Sequence, residues 1–292
     1  MFKVPYLVFH ILSLRLQRDL VGSGFDVGLV SFHFIISFHL ICFSLLVSRS
    51  RFISFVSLKW WRMSRFNLIY FPCRGRQEPA QLLLELGGFS YETSPVNVET
   101  WKEDKTEFVG RSAFGQLPIL EDRERKLELS QSQTIYRYLA DLADLNGRNV
   151  DERIRIDELC ETVTDLTTDL LLITWDAKQF SDLPAHRARC KNKLSQFESF
   201  FRKHGGTTGS FIAGYVSLAD VRCCVFLEAL APLHKGLMED EFPFLNEYRS
   251  NFFERNEKVK AFVESQRRFK TYTISMAVWG GKEEETVQRV KL

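Results

Sequence analysis

Two side chains able to handle protons or sulfur stand three positions apart in "NLIYFPCRGRQEP", residues 67 to 79: the phenol of Tyr70 and the thiol of Cys73. A phenol can donate a hydrogen bond to an anion, and a cysteine, once ionised, is a nucleophile. Tyr70 closes an apolar run, Cys73 follows Pro72, and a basic turn containing Gly75 comes next. Three readings fit this stretch: a corner with a working tyrosine, a corner with a working cysteine, or a corner that is structural only.

The elements that would position these groups follow from pattern. Residues 66 to 72 are apolar and aromatic and end at Pro72, a strand signature. In "GRQEPAQLLLELGG", Pro79 sits in a first helical turn and Gly87–Gly88 at a C-terminal stop, so a short helix is expected. "YETSPVNV" reads as a second strand and "WKEDKTEF" as a polar, helical segment. "GQLPILED" and "RKLELS", separated by a charged turn, read as a hairpin. "SQTIYRYLADLADL" carries Ile135, Tyr138, Leu139 and Leu142 at helical spacing behind a serine. The order β-α-β-α-β-β-α predicts an α/β domain over 64–145, a small sheet covered by helices.

From about residue 150 Pro and Gly become sparse, and "DERIRIDELCETVTDLTTDLLLITWDA" keeps a helical period over many turns. Amphipathic stretches near 186–204, 217–230, 241–254 and 256–266 complete an all-helical domain over 149–270. "SLAD", Ser217 to Asp220, predicts a capping box, a structural device. Residues 271–292 show no pattern that places them in the bundle and read as a loose tail.

A net charge of +2 and the lack of a basic stripe exclude a nucleic-acid binder. Cys42, Cys73, Cys160, Cys190, Cys223 and Cys224 show neither CxxC nor zinc-ligand spacing, so no metal is expected. Adjacent Cys223 and Cys224 in an apolar stretch read as reduced core thiols, which fits a reducing, cytoplasmic compartment. Residues 1–63 form a basic, hydrophobic extension whose first sixty residues have only Asp19 and Asp26 as acids. Its run over 27–47 is free of formal charge and long enough to cross a bilayer, with Arg49 and Arg51 favouring a cytoplasmic C-terminal side. Three readings stay open: an anchor, a soluble extra helix, or upstream text that is not translated, Met63 then opening the domain. A cleavable signal fits less well, because the run starts late and lacks an A-x-A site. Membrane association is expected only if 27–47 is an anchor.

"YFPCRGRQE", "FGQLPIL" and "LSQSQTIYRYLA", in that order and ahead of a helical domain, resemble the glutathione transferases. The Tyr-Phe-x-x-Arg-Gly-Arg-x-Glu form is most similar to the sigma class, related to glutathione-dependent prostaglandin D synthase. The resemblance covers about 64–270 and implies a thioredoxin-like first domain, a homodimer, and glutathione as co-substrate with a hydrophobic electrophile as its partner. The implied activity is conjugation of the glutathione thiolate (EC 2.5.1.18 type). Narrower or different alternatives are a prostaglandin-type isomerase and a non-catalytic binding or structural protein of the same fold.

The resemblance also assigns residues. Tyr70 occupies the place of the tyrosine that hydrogen-bonds the thiolate; relatives that use cysteine carry a Cys-Pro-Phe context that Cys73 lacks. A thiol near pKa 8.5 must lose about two units, roughly 2.7 kcal/mol, and one hydrogen bond to a charged acceptor supplies about 1.5–3 kcal/mol. Arg76 would brace the site beside the tyrosine, its alternative being a surface ion pair with Glu78. Trp101 and Lys105, four apart on one helix face, would reach the glycyl carboxylate; the alternative for Trp101 is a lid over the core. Pro118 matches the family's cis-proline, which aims the backbone of Gly115, Gln116 and Leu117 at the cysteinyl part of the tripeptide. Gln131 and Ser132, at a helix start, would receive the γ-glutamyl end, Ser132 doubling as an N-cap. Asp165 would cross a dimer interface to the partner's γ-glutamyl ammonium. Leu170 to Trp175 are candidate walls of the electrophile pocket.

Overall fold

The computed structural model describes residues 64–211 and 214–283; the 27–47 run and the rest of the N-terminal extension lie outside the described residues. Strand β1 (Phe66–Tyr70) is followed by α1 (Glu78–Gly87), β2 (Tyr91–Pro95), α2 (Trp101–Val109), the hairpin β3 (Ile119–Asp122) and β4 (Leu127–Ser130), and α3 (Ser132–Leu142). The sheet order is β2-β1-β3-β4, with β1 parallel to β2 and antiparallel to β3. This is the thioredoxin-like βαβαββα arrangement the sequence predicts.

β1 is an interior strand, and both its faces are covered, which is why apolar residues dominate it. Phe66 and Leu68 point into the main core, whereas Ile69 packs with Val96 and Ile119 on the other side, beneath Phe71, Trp101 and Phe108. α1 holds Pro79 in its first turn, where the missing N–H costs nothing. It ends at Gly88, whose φ of +67° lets its N–H turn back onto the Leu84 and Glu85 carbonyls.

The remaining chain is helical: α4 (Val150–Trp175), the short α5 (Ala177–Phe180), α6 (Leu183–Lys203), α7 (Leu218–Leu233), a π-helical turn (Leu237–Glu241), α8 (Pro243–Arg255) and α9 (Glu257–Val263). α4 packs along α7, and α7 in turn contacts α1, so sheet-side and bundle-side residues share one core. The Ser217–Asp220 capping box forms as the sequence predicts. Buried Asp220 also accepts from the Phe211 N–H at 2.6 Å and the Tyr248 hydroxyl at 2.8 Å, tying the preceding loop and α8 to the head of α7. Among the described residues no helix is long and apolar enough to cross a membrane.

Two expectations are corrected. Ser132 is not the N-cap of α3 but its first helical residue; Gln131 holds the cap position with φ +73°. The stretch after Lys270 is not loose over 271–283. Tyr272, Thr273, Ile274 and Trp279 are buried there. The Arg74 and Gly75 N–H groups donate to the Thr271 and Tyr272 carbonyls at 2.8 and 2.9 Å, and Val278 donates to the Thr174 carbonyl at 2.9 Å. The segment is held mostly through main chain, which leaves no periodic trace in sequence.

Candidate functional site

The corner after β1 is built by backbone bonds that side-chain pattern does not reveal. Gln77 aims its amide at the Phe71 and Cys73 carbonyls, at 2.9 and 2.5 Å, closing the loop under α1. Gly75, at φ +34°, lies against the ring of Tyr70: a β-carbon there would stand 3.0 Å from Tyr70 Oη and 3.1 Å from its Cε1. Only glycine lets the backbone come this close without strain.

The Arg76 N–H donates to Tyr70 Oη at 3.3 Å. Because that oxygen is accepting, its own proton is free to be donated elsewhere. Burial, then the nearby Cys73, pushes the Tyr70 phenol above its ordinary range against the downward pull of the Arg76 N–H. The ring therefore stays protonated, a donor, across neutral pH. Cys73 behaves oppositely for a nucleophile. It is 3% exposed, and burial pushes its thiol up to about 12, so almost none is thiolate near pH 7. Of the readings open for this corner, the working cysteine lacks the ionisation it requires.

Arg76 is half-buried, and its carbonyl accepts from the Tyr136 hydroxyl. Glu78 does not pair with Arg76; it pairs with Arg268 at 2.6 Å. Trp101 is half-buried and lies edge-on to Phe71 at 5.3 Å and tilted toward Phe108 at 5.8 Å, an aromatic row leading from the corner to α2. It thus contributes to the smaller core while keeping one side open, and Lys105 stands exposed one turn further along.

The Leu117–Pro118 peptide is cis. The turn before it is set by Ser112, whose hydroxyl accepts from the Gln116 N–H at 3.1 Å and donates to the Gln116 carbonyl at 3.0 Å, and by Gly115 at φ +58°. Neither the N–H nor the C=O of Leu117 takes a partner among the described residues, so this edge can accept another extended chain. The Gln131 amide donates to Gln116 Oε1 at 2.9 Å, joining the edge to the head of α3. A non-glycine residue at φ +73° costs on the order of 1–3 kcal/mol and persists where the surroundings over-determine it. Ser132, buried, follows at once, so its hydroxyl and the free amides of the first turn of α3 share this end.

Asp165 is exposed on α4, next to Thr164. Thr164 and Thr167 line a cavity of about 20 Å³ with Gly75, Arg76, Tyr136 and Tyr272, roughly the room of one water. Leu170–Trp175 do not line it. Leu170, Ile173 and Thr174 are core residues, Leu172 and Trp175 are exposed, and the cavity instead meets α4 one to two turns earlier.

Sequence reasoning missed four residues here. Tyr136 lay hidden in a helical period, and Tyr272 in a stretch without one. Gln77 acts through its amide on the backbone. Arg222 stacks over Tyr136 at 4.8 Å, donates to Thr164 at 3.3 Å and also bonds Gln133. Its place in the apolar "SLADVRCCVFLEAL" was the one available signal, a charge on a buried face.

Known proteins with this arrangement supply its family. Residues 66–141 match the model of the glutathione S-transferase N-terminal domain. Glutathione S-transferase P of Homo sapiens is 31% identical over 209 residues, 70% of this chain and 93% of its own length. Glutathione S-transferase 2 of Onchocerca volvulus is 27% identical over 201 residues, 69% of this chain and 93% of its own length. The solved structure of an Onchocerca volvulus Pi-class glutathione S-transferase matches with a TM-score of 0.62 and 28% identity, covering 68% of this chain and 92% of its own. The human relative and the solved Onchocerca structure carry P or Pi-class names, so the sigma-class likeness of the corner motif is not supported. A relative this similar over nearly its whole length shows that the chain belongs to the glutathione S-transferase family.

Proposed function

We propose that the protein joins the sulfur of glutathione to hydrophobic electrophiles, with Tyr70 stabilising the thiolate. The observation that carries this reading is the Tyr70 hydroxyl accepting from the Arg76 N–H at 3.3 Å, which leaves its proton available at the strand end. The donor stays protonated because burial raises its pKa. A hydrogen bond to a charged sulfur contributes about 1.5–3 kcal/mol, most of the roughly 2.7 kcal/mol needed to bring the thiol down two pKa units.

In this reading the tripeptide lies along the Gly115–Leu117 edge as an added strand, its cysteinyl amide on the Leu117 backbone. Gln131 and Ser132 take the γ-glutamyl carboxylate at the head of α3, where unpaired amides favour an anion. Trp101 and Lys105 take the glycyl end, and Arg76 braces the middle. The strained Gln131 supports this placement, since such backbone recurs at ligand clamps.

The homodimer, with Asp165 of each protomer reaching the partner's site, belongs to the same proposal. Phe114, 68% exposed beside the Gly115–Leu117 edge, supports a surface that a second copy would cover. A cytoplasmic location is supported by five free, buried cysteines among the described residues.

The test is retention on glutathione-agarose and the rate of conjugation to chlorodinitrobenzene. Wild type should be retained and active. Tyr70→Phe should be retained but slowed about 10- to 150-fold, the equivalent of 1.5–3 kcal/mol. Equal rates for the two proteins would refute the role of Tyr70.

A further inference from the structure

Three side chains with no part in the glutathione site form a second chemical centre in the helical half. His186 and Cys190 stand one turn apart on α6, on the same face. His234 closes the C-terminal end of α7 and meets them. Exposures are 0% for His186, 2% for Cys190 and 5% for His234. His186 Nδ1 and His234 Nε2 are 2.7 Å apart, and Cys190 Sγ lies 3.8 and 3.6 Å from the two ring nitrogens of His186. One ligand atom from each residue falls within 4.8 Å of the others.

We propose that His186, Cys190 and His234 bind a zinc ion. Tetrahedral zinc with bonds of about 2.0–2.3 Å needs ligand atoms about 3.3–3.7 Å apart. Cys190 Sγ, 3.8 Å from His186 Nδ1, stands close to that separation, whereas the two histidine nitrogens share a hydrogen bond at 2.7 Å and would part by roughly 0.6 Å to admit the ion. Two imidazoles and a thiol suit a borderline-soft metal and not calcium or magnesium, which demand oxygen.

The surroundings also fit. With His186 Nδ1 on the metal, its Nε2 faces Asp169 Oδ2 at 3.6 Å, the carboxylate behind a histidine ligand that fixes its tautomer. Arg189 holds that carboxylate with two bonds, at 3.2 and 3.3 Å. Asp169 is 33% exposed, so it marks the way in from solvent. On binding, the Cys190 S–H proton leaves to water as the sulfur–zinc bond forms, and nothing is oxidised. The ion would staple α6 to the end of α7. Spacing among cysteines alone hides such a site, because two of its ligands are histidines and one lies over forty residues away in sequence.

The full chain, stripped with a chelator, is titrated with cobalt(II) as a spectroscopic stand-in and then with zinc. The expected result is one cobalt per chain with an intense thiolate-to-cobalt absorption, displaced by zinc. Cys190→Ser should lose that absorption, Cys73→Ser should keep it, and Asp169→Asn should weaken zinc about 10- to 100-fold. Circular dichroism verifies that each variant is folded. Should Cys190→Ser not fold, His234→Gln must abolish the one-to-one binding. No thiolate band in the wild type, or a band that survives Cys190→Ser or an unchanged affinity in His234→Gln, overturns the assignment.

Discussion

Adding one methyl group at Gly75 tests the corner without removing any chemical group. Gly75→Ala faces two obstacles. At φ +34° an L side chain costs about 1–2 kcal/mol. The new β-carbon would stand 3.0 Å from Tyr70 Oη and 3.1 Å from Cε1, tighter than ordinary carbon contacts of about 3.5–4.0 Å. The Tyr70 ring must give by several tenths of an ångström, and its bond from the Arg76 N–H, already 3.3 Å, has little room to lengthen. The expected outcome is a loss of about 1–2 kcal/mol in urea denaturation and a conjugation rate lower by about 10-fold, since a misaligned donor forfeits much of its 1.5–3 kcal/mol. Because the rate loss acts through the phenol oxygen, it should shrink to about twofold when Gly75→Ala is made in Tyr70→Phe, while the stability loss persists. Such non-additivity is the mark of groups in contact. Full activity in Gly75→Ala, or rate losses that multiply in the double variant, would refute the reasoning.

Three further outcomes follow. Cys73→Ser should change the conjugation rate less than about twofold and cost about 1–3 kcal/mol, because its hydroxyl is buried where a thiol sat without a strong partner; a rate collapse would return the cysteine to consideration. Tyr272→Ala should cost about 3–5 kcal/mol in denaturant midpoint and open residues 271–283 to limited proteolysis, as expected for a buried aromatic. Arg268 bridges Glu78 at 2.6 Å and Glu228 at 2.5 Å, with Arg74 3.5 Å from Glu228. Burial would raise the Glu228 pKa, but Arg268 and Arg74 overcome it and hold the carboxyl below its usual range. A depressed carboxylate stabilises above its unfolded pKa and loses that contribution as pH falls through the folded one. Arg268→Met should therefore cost about 3–5 kcal/mol at pH 7 and less near pH 4, where the stranded Glu228 carboxylate takes up a proton; chemical denaturation at the two pH values checks the difference.

The fold was legible wherever local rules govern. Pro79 and Gly88 bracketed α1, the charged turn marked the hairpin, and Ser217 and Asp220 announced the head of α7, because caps and turns act over four or five residues. The aromatic row of Phe71, Trp101 and Phe108 and the bond between Gln116 and Gln131 join elements the sequence keeps apart, so only the family resemblance brought those site residues into one group. The segment 271–283 is fixed by backbone contacts to Arg74, Gly75 and Thr174, and nothing in its side-chain order reports them. Gln131 displaced serine at the head of α3 for a related reason: its side chain is committed to Gln116 across the site, a tertiary bond that overrides cap preference.

The proposed chemistry rests on Tyr70 sharing its proton with a bound sulfur, and the ionisation of that sulfur measures this directly. Glutathione bound to the protein is titrated while the ultraviolet absorption of its thiolate is followed, in wild type and in Tyr70→Phe. The wild-type complex should ionise about two units below the free thiol, near pH 6.5, and the variant should return to about pH 8 or above, a difference of roughly 2–2.7 kcal/mol. Identical titrations in the two proteins, with glutathione bound in both, would contradict the assignment of Tyr70 as the group that stabilises the thiolate.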